Sequence, residues 1–264
     1  MSNTTHTALI TGASAGIGAA FAHHLAKEGY NLLLVARRVE RLQALQQELE
    51  EEHGIDCQVF GADLTDPAAP KAIMDFATRE KIHIDVLINN AGLSGNYTFA
   101  EADWQELGGE IQLMITAVTE LCHLVAPGMK ARGWGRIINL SSIAAFAPPA
   151  ASLLYTAIKS YVLNLSQSLD MELKPHGVHV TALCPGFTRS EFHDVMGTKD
   201  EAYSLPDILW QDADAVVAEG WRAVEKGKSV CVPGNVNKLV ASSIRPLPMK
   251  LRYFMGDKLN PFKH

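Results

Sequence analysis

Tyr155 and Lys159, in the stretch YTAIK, stand four residues apart and share one face of a helix. A tyrosine of ordinary pKa, about 10, is a poor proton carrier at neutral pH. An ammonium beside it stabilises the phenolate and brings that pKa toward the working range, which makes the pair a candidate general acid–base. Upstream, NLSS closes a strand-like run at Ser142, where a parallel strand presents its C-terminal end to a ligand. A Tyr and a Lys at this spacing also occur on ordinary helix faces, so the pair needs support from elsewhere in the chain.

That support comes from TGASAGIG, Thr11 to Gly18, which directly follows the first strand-like run and opens the first helix-like one. Gly12 permits a tight turn, Gly16 lets backbone amides approach a pyrophosphate, and Gly18 lets the helix pack close to the sheet. Ser14 and Ile17 lie in the same turn and count with the glycines as cofactor-binding positions. Free amides and the helix dipole favour an anion there. Glycines alone also fit a generic strand-to-helix turn; their position at the first turn of an alternating chain points to a dinucleotide. The second strand-like run ends in LVARRVERL, with Ala36 and then Arg37 and Arg38 where an NAD-binding protein places a carboxylate. Guanidinium groups bind a ribose 2′-phosphate in a forked, charge-assisted way, each such bond giving about 1.5–3 kcal/mol. NADP is the expected cofactor, the alternative being two arginines that simply begin a solvated helix.

The elements that must position these residues alternate regularly. Strands are expected at Thr7–Thr11, Asn31–Ala36, Cys57–Ala62, Ile84–Asn89, Arg136–Ser141, Val178–Cys184 and Ser229–Val232. Most are continuously apolar, as strands covered on both faces are. Helices are expected at Ala15–Glu28, Arg38–Glu52, Pro67–Glu80, Ala102–Ala131, Ser152–Lys174 and Ala213–Glu225. Such repetition needs right-handed crossovers and therefore an α/β fold, a doubly wound parallel sheet with helices on both faces. We read one domain over residues 1–232, with a substrate lid at 186–212, and a tail at 233–264 that packs on the same domain or on a partner subunit.

Composition narrows the function. A net charge of −6 leaves no broad basic field, so nucleic acid is not an expected partner. Cys57, Cys122, Cys184 and Cys231 are too scattered for a zinc site or redox dithiol and read as buried thiols in a reducing compartment; no metal is expected. The N-terminus shows no basic segment followed by an apolar run, and no apolar run approaches the roughly 18 residues of a membrane span. The expectation is a cytoplasmic protein.

TGASAGIG, NNAG (Asn89–Gly92), LSS before an apolar loop, YTAIK and CPG (Cys184–Gly186) together resemble the short-chain dehydrogenase/reductase family, in its order and with its spacings, over roughly Thr7–Val232. Within it, the chain resembles the NADP-preferring group with TGASxGIG and an arginine after the second strand. The resemblance implies a Rossmann-type fold with Tyr155 as general acid in carbonyl reduction or base in alcohol oxidation. It implies that Lys159 lowers the pKa of Tyr155 and holds the nicotinamide ribose, and that Ser142 hydrogen-bonds the substrate oxygen. It further implies that Asp63 contacts adenine (a strand-end cap being the alternative) and that Asn89 and Gly92 border the cofactor and stabilise the central strands. Pro185 and Gly186 would lie against the nicotinamide, with Ser190 at the carboxamide where the family usually has Thr. The helices Ala102–Ala131 and Ser152–Lys174 are those through which family members commonly pair, so a homo-oligomer, dimer or tetramer, is expected.

Met114 departs from the pattern. Counting back from Ser142, it falls where many family members carry an Asn that puts a local irregularity in the helix and whose main-chain carbonyl holds a relay water. A thioether cannot reproduce the amide's hydrogen bonds, although the carbonyl remains. Two expectations follow: Met114 weakens the relay, or it is a core residue. The substrate walls, Leu93–Phe99, Ile143–Leu154 and Phe187–Trp210, are apolar through Phe146, Pro148, Pro149, Leu153 and Leu154, which suits an apolar carbonyl or alcohol, while Arg189 and His193 could orient a polar group or stay solvated. The basic and apolar tail could lie on an anionic membrane, cover the pocket or meet another subunit. The expected activity is NADP(H)-dependent oxidoreduction; the alternative is a catalytically weakened cofactor-binding sensor or interaction module, resting on Met114 alone.

Overall fold

The computed structural model describes residues 5–93, 99–146, 154–189, 210–244, 248, 250–251 and 253–254. In chain order they form β1 (Thr7–Thr11), α1 (Gly16–Lys27), β2 (Asn31–Ala36), α2 (Val39–His53), β3 (Cys57–Gly61), α3 (Ala69–Arg79) and β4 (Ile84–Asn89). There follow α4 (Trp104–Ile111), a π-helical turn (Gln112–Thr116), α5 (Ala117–Arg132), β5 (Gly135–Leu140), a 3-10 turn (Ile143–Phe146) and α6 (Leu154–Leu173). The last elements are β6 (Val178–Leu183), β7 (Phe187–Thr188), β8 (Trp210–Gln211), α7 (Ala213–Glu225), β9 (Val230–Cys231) and α8 (Asn235–Ile244).

Seven strands pair in the order β3-β2-β1-β4-β5-β6-β9, every described pairing being parallel. The strands read as continuous apolar runs because both faces are covered. Ala8, Ile10, Leu32 and Leu34 point to one face, against Phe21 and Leu25 of α1, Leu42 and Leu49 of α2, and Val217 and Trp221 of α7. Leu9, Leu33 and Val35 point to the other, against Ile73 of α3, Leu121 and Val125 of α5, and Ile158 of α6. The order reverses between β1 and β4, and at such a switch point the C-terminal strand ends open a crevice for a ligand.

The long helix expected over Ala102–Ala131 is three pieces, because a π turn interrupts it. The Ala117 amide reaches back five residues to the Gln112 carbonyl, and an apolar stretch such as QLMIT carries no side-chain signature for that choice. Together Trp104–Arg132 have the length and apolarity of a membrane span, but Leu113, Leu121, Val125 and Met129 are buried against the sheet. Two further elements lie where no regular structure was expected: the β7–β8 pair inside the Gly186–Asp212 connection, and α8 in the tail, whose Ala241 is buried with Phe146, Leu163 and Cys184. All four cysteines are unpaired and buried; burial pushes the thiols of Cys57, Cys122 and Cys184 up to about 12 and that of Cys231 up to about 11, which makes them inert.

Candidate active site

The phosphate turn is built from β1, α1 and the loop after β4. Gly12 and Gly16 hold φ of 66° and 56°, the left-handed region that a side chain makes costly. Asn90, from NNAG, was not among the residues singled out by sequence, yet it braces this turn. Its Nδ2 donates to the carbonyls of Thr11 (3.0 Å) and Gly12 (3.2 Å), and its backbone N–H donates to Thr11 Oγ1 at 3.0 Å. A Cβ on Gly12 would sit 2.8 Å from that Nδ2 and one on Gly18 2.5 Å from it, so Asn90 and the glycines are fitted to each other. Ile17 packs on the core and Ser14 stays half-buried. The start of α1 has no side-chain cap and no acidic residue in its first turn, which leaves its amides and dipole open to an anion.

Beside the turn, β2 ends at Ala36. Arg38 folds back so that its guanidinium donates to Ser14 Oγ, Nη2 at 3.2 Å and Nε at 3.4 Å. Arg37 lies 3.9 Å from Asp63 with both side chains largely exposed, a weak solvated pair. Asp63 also accepts from the Thr65 N–H (3.0 Å) and hydroxyl (2.9 Å), so its carboxylate already caps the turn after β3. Two cations and a hydroxyl therefore border the crevice at the end of β2. The cradle that a Cβ would fill, the uncapped amides and these cations fit a nicotinamide dinucleotide.

At the ends of β5 and β6 the structure brings Ser142, Tyr155 and Lys159 together. Tyr155 is hydrogen-bonded to Ser142, and Lys159 Nζ lies 5.4 Å from the Tyr155 ring centre. Ser142 Oγ also accepts from the Ala144 N–H at 3.1 Å, the start of the 3-10 turn. Burial raises the pKa of Tyr155 and its bond to Ser142 opposes the rise, so the lowering expected from Lys159 does not appear at this site. Burial lowers Lys159 to about 8, although Nζ donates to the Leu140 carbonyl at 2.9 Å. The Ser141 hydroxyl donates to the Lys159 carbonyl at 2.7 Å, tying α6 to the strand end. The Pro185 carbonyl accepts from the Ile143 N–H at 2.9 Å, so the CPG segment lies beside the Ser142 loop.

Gly92 joins the two halves of the crevice. A Cβ there would meet Met114 Sδ at 3.4 Å and Lys159 Nζ at 3.8 Å. Asn89 is buried inside the sheet: its amide donates to Asn139 Oδ1 at 2.9 Å, and Asn139 donates on to Ser166 of α6 at 3.0 Å. Its described contacts brace β4, β5 and the helices. Ser190 and His193 lie outside the described residues.

Met114 is 1% exposed and packs in the apolar core with Ala117 and Ile158. The π turn, which the resemblance attributes to an Asn, is present with Met114 at its centre. One extra residue in a turn withdraws a carbonyl from the α-helical ladder whatever the side chain, so the irregularity survives the substitution. Of the two expectations for Met114, its surroundings favour the core residue. Met114→Asn would bury an amide among apolar groups, and we expect a loss of about 1–3 kcal/mol in stability with no threefold gain in turnover. Thermal melting and steady-state rates on that variant check this; higher turnover at unchanged stability would show that Met114 impairs a proton relay.

Residues 6–201 match the family model described as short chain dehydrogenase. The chain is 36% identical over 224 residues to a sulfoacetaldehyde reductase of Chromohalobacter salexigens, covering 81% of this chain and 84% of that one. It is 31% identical over 231 residues to a 3-oxoacyl-[acyl-carrier-protein] reductase of Staphylococcus aureus, covering 86% and 94%. Among solved structures, a short-chain dehydrogenase from Sphingobium yanoikuyae in complex with NADPH is 34% identical over 98% of both chains with a TM-score of 0.81. A bulky-bulky ketone specific alcohol dehydrogenase from Comamonas testosteroni is 32% identical, covering 93% and 96%, with a TM-score of 0.77. With its seven-stranded parallel sheet and the glycine turn at the sheet's switch point, the chain belongs to the short-chain dehydrogenase/reductase family of oxidoreductases, which use a nicotinamide cofactor on small molecules.

Proposed function

We propose that the protein is an NADP(H)-dependent oxidoreductase that interconverts a carbonyl and an alcohol on an apolar small molecule. The convergence of Ser142, Tyr155 and Lys159 carries this reading. The bound nicotinamide supplies or accepts the hydride. Tyr155 gives its hydroxyl proton to the carbonyl oxygen in reduction and takes it back in oxidation. Ser142 hydrogen-bonds that oxygen and orients the Tyr155 hydroxyl. Lys159 holds the nicotinamide ribose and, as a cation, favours the phenolate left when the proton has gone. The intact set supports turnover and weighs against a sensor without chemistry. Loss of NADPH absorbance against a panel of ketones and aldehydes tests the reading; tight cofactor binding without oxidation of NADPH across the panel would refute it.

The cofactor choice is supported by Arg38 folded against Ser14 and by Ala36 where a carboxylate would repel a phosphate. The relative solved with NADPH agrees with it. Replacing Arg37 and Arg38 together with Ala is expected to weaken NADPH binding at least about tenfold and leave NADH nearly unchanged. Fluorescence titration with both nucleotides measures this, and equal affinities in the parent protein would end the NADP assignment.

An apolar substrate is supported by the apolar character of Leu93, Ile143 and Leu154, partly buried residues in the segments after β4 and β5 and at the start of α6, and by the relative named for bulky-bulky ketones. Four unpaired buried thiols support a cytoplasmic setting. Exposed Tyr161 and Met171 on α6 support pairing of two copies, so sedimentation should give at least twice 28.7 kDa; a monomer at micromolar concentration would remove that proposal.

A further inference from the structure

The C-terminal helix α8 reaches the candidate site through one buried amide. Asn237 is 7% exposed, and its Nδ2 donates to Gln211 Oε1 at 2.7 Å and to the Pro233 carbonyl at 3.1 Å. The same Gln211 oxygen accepts from the Gly186 N–H at 3.4 Å. A Cβ on Gly186 would lie 2.5–2.8 Å from the Asn237 amide atoms, so the two are in direct contact. Gln211 ends β8, which pairs with β7: Phe187 lies opposite Trp210, Thr188 opposite Gln211, and the Arg189 N–H donates to the Gln211 carbonyl at 3.0 Å. Both ends of the connection between β6 and α7 therefore meet at Gln211, and Asn237 fixes Gln211.

Asn237 is itself held rigidly. Glu219 of α7 accepts from the Gly234 N–H at 3.1 Å and from Lys238 Nζ at 2.8 Å, which anchors the start of α8. One turn beyond Asn237, Ala241 is buried against Phe146 of the 3-10 turn that follows Ser142. The Pro185 carbonyl accepts from Ile143, so one chain of contacts runs from α8 through Gly186 and Pro185 to the Ser142 loop. Buried polar groups with every donor engaged fix a single arrangement.

We infer that Asn237 is a positioning residue: it sets the Gly186 backbone and the β7–β8 hinge against the nicotinamide side of the crevice, so that the C-terminal helix takes part in the geometry of the reaction. This rests on the proposed reading that Pro185 and Gly186 face the nicotinamide. Asn237→Leu keeps the size and removes the donors; Gln211→Met removes the acceptor from the other side. Lys238→Met removes only the partly exposed half of the Glu219 anchor, leaving the Gly234 N–H bond to Glu219 and the contacts of Asn237 in place, and serves as the structural control.

In the cofactor-free protein, hydrogen–deuterium exchange should rise at least about tenfold in the peptide containing Gly186–Arg189 for Asn237→Leu and Gln211→Met, and stay unchanged in β4 and β5. For Lys238→Met, exchange at Gly186–Arg189 should stay near that of the parent. With saturating NADPH, single-turnover reduction should slow about tenfold in each of the first two variants. Their double variant should be no slower than either single one, because both break the same contact. Unchanged exchange at Gly186–Arg189, or equal effects from Lys238→Met, would overturn the inference, and the exchange experiment decides this without any turnover. If exchange rises as expected while the parent itself oxidises no NADPH, the proposed activity fails and the hinge contact stands.

Discussion

Tyr155→Phe is expected to lose at least about 10²-fold in turnover while binding cofactor within about threefold of the parent. The ring that packs beside Lys159 is retained and only the hydroxyl is removed. Burial keeps the Tyr155 proton in place at neutral pH, which suits a donor in the reductive direction. Among the described residues, the neighbouring hydroxyl and thiol are poor replacements. Ser142 has a hydroxyl too weak in acidity to deliver a proton, and the Cys184 thiol is pushed up to about 12. Single-turnover reduction at saturating NADPH, run beside a nucleotide titration, separates the proton step from binding. Retention of most activity would place the proton donor elsewhere.

The sheet was legible because both of its faces are covered: runs such as NLLLVA and IDVLIN keep their polar residues (Asn31, Asp85 and Asn89) at or next to their ends and are otherwise apolar, and they begin and end as expected. The glycine turn and the Ser142, Tyr155 and Lys159 set were legible because the chemistry proposed for them requires those residue types at those places. What escaped reading was decided by backbone and tertiary contact. The π turn is a choice of hydrogen-bond partner, Ala117 to Gln112, that QLMIT does not encode. Asn90 acts across 79 residues on Thr11, and only its place in NNAG hinted at a role. β7 and β8 have two residues each, too short for any periodicity.

Helix α8 escaped reading for a different reason. Its regular apolar stripe, Val236, Leu239 and Val240, faces outward at 37–69% exposure, while Asn237 and Ala241 face in. Burying an apolar stripe, the usual rule for an amphipathic helix, would turn this helix the wrong way. The inward face is set by one polar contact, Asn237 with Gln211, and by a small residue that lets the helix approach Phe146. The tail's relation to the site is therefore carried by the two residues least conspicuous in its sequence.

Lys159→Met should abolish turnover and yet melt at a higher temperature than the parent. Lys159 is 6% exposed, and burial lowers its pKa from 10.5 to about 8, so at neutral pH the folded protein holds a cation that the interior disfavours. The difference corresponds to a cost on the order of 3 kcal/mol. Methionine fills the same space without charge, and the loss of the bond to the Leu140 carbonyl returns about 1 kcal/mol of that. A net gain of roughly 1–2 kcal/mol should raise the melting temperature by about 2–6 °C. The sign of the pH dependence is fixed by linkage. The folded pKa is depressed, so between about 8 and 10.5 the unfolded chain binds the proton and the folded one does not, and the parent gains stability as pH rises through that window. The advantage of the variant is therefore complete below about 8 and fades toward 10.5. Melting curves of both proteins, cofactor-free, over that range measure it. A variant that melts below the parent at pH 7 would mean that the Lys159 cation is compensated inside the fold, leaving nothing stored at the site for the reaction to use.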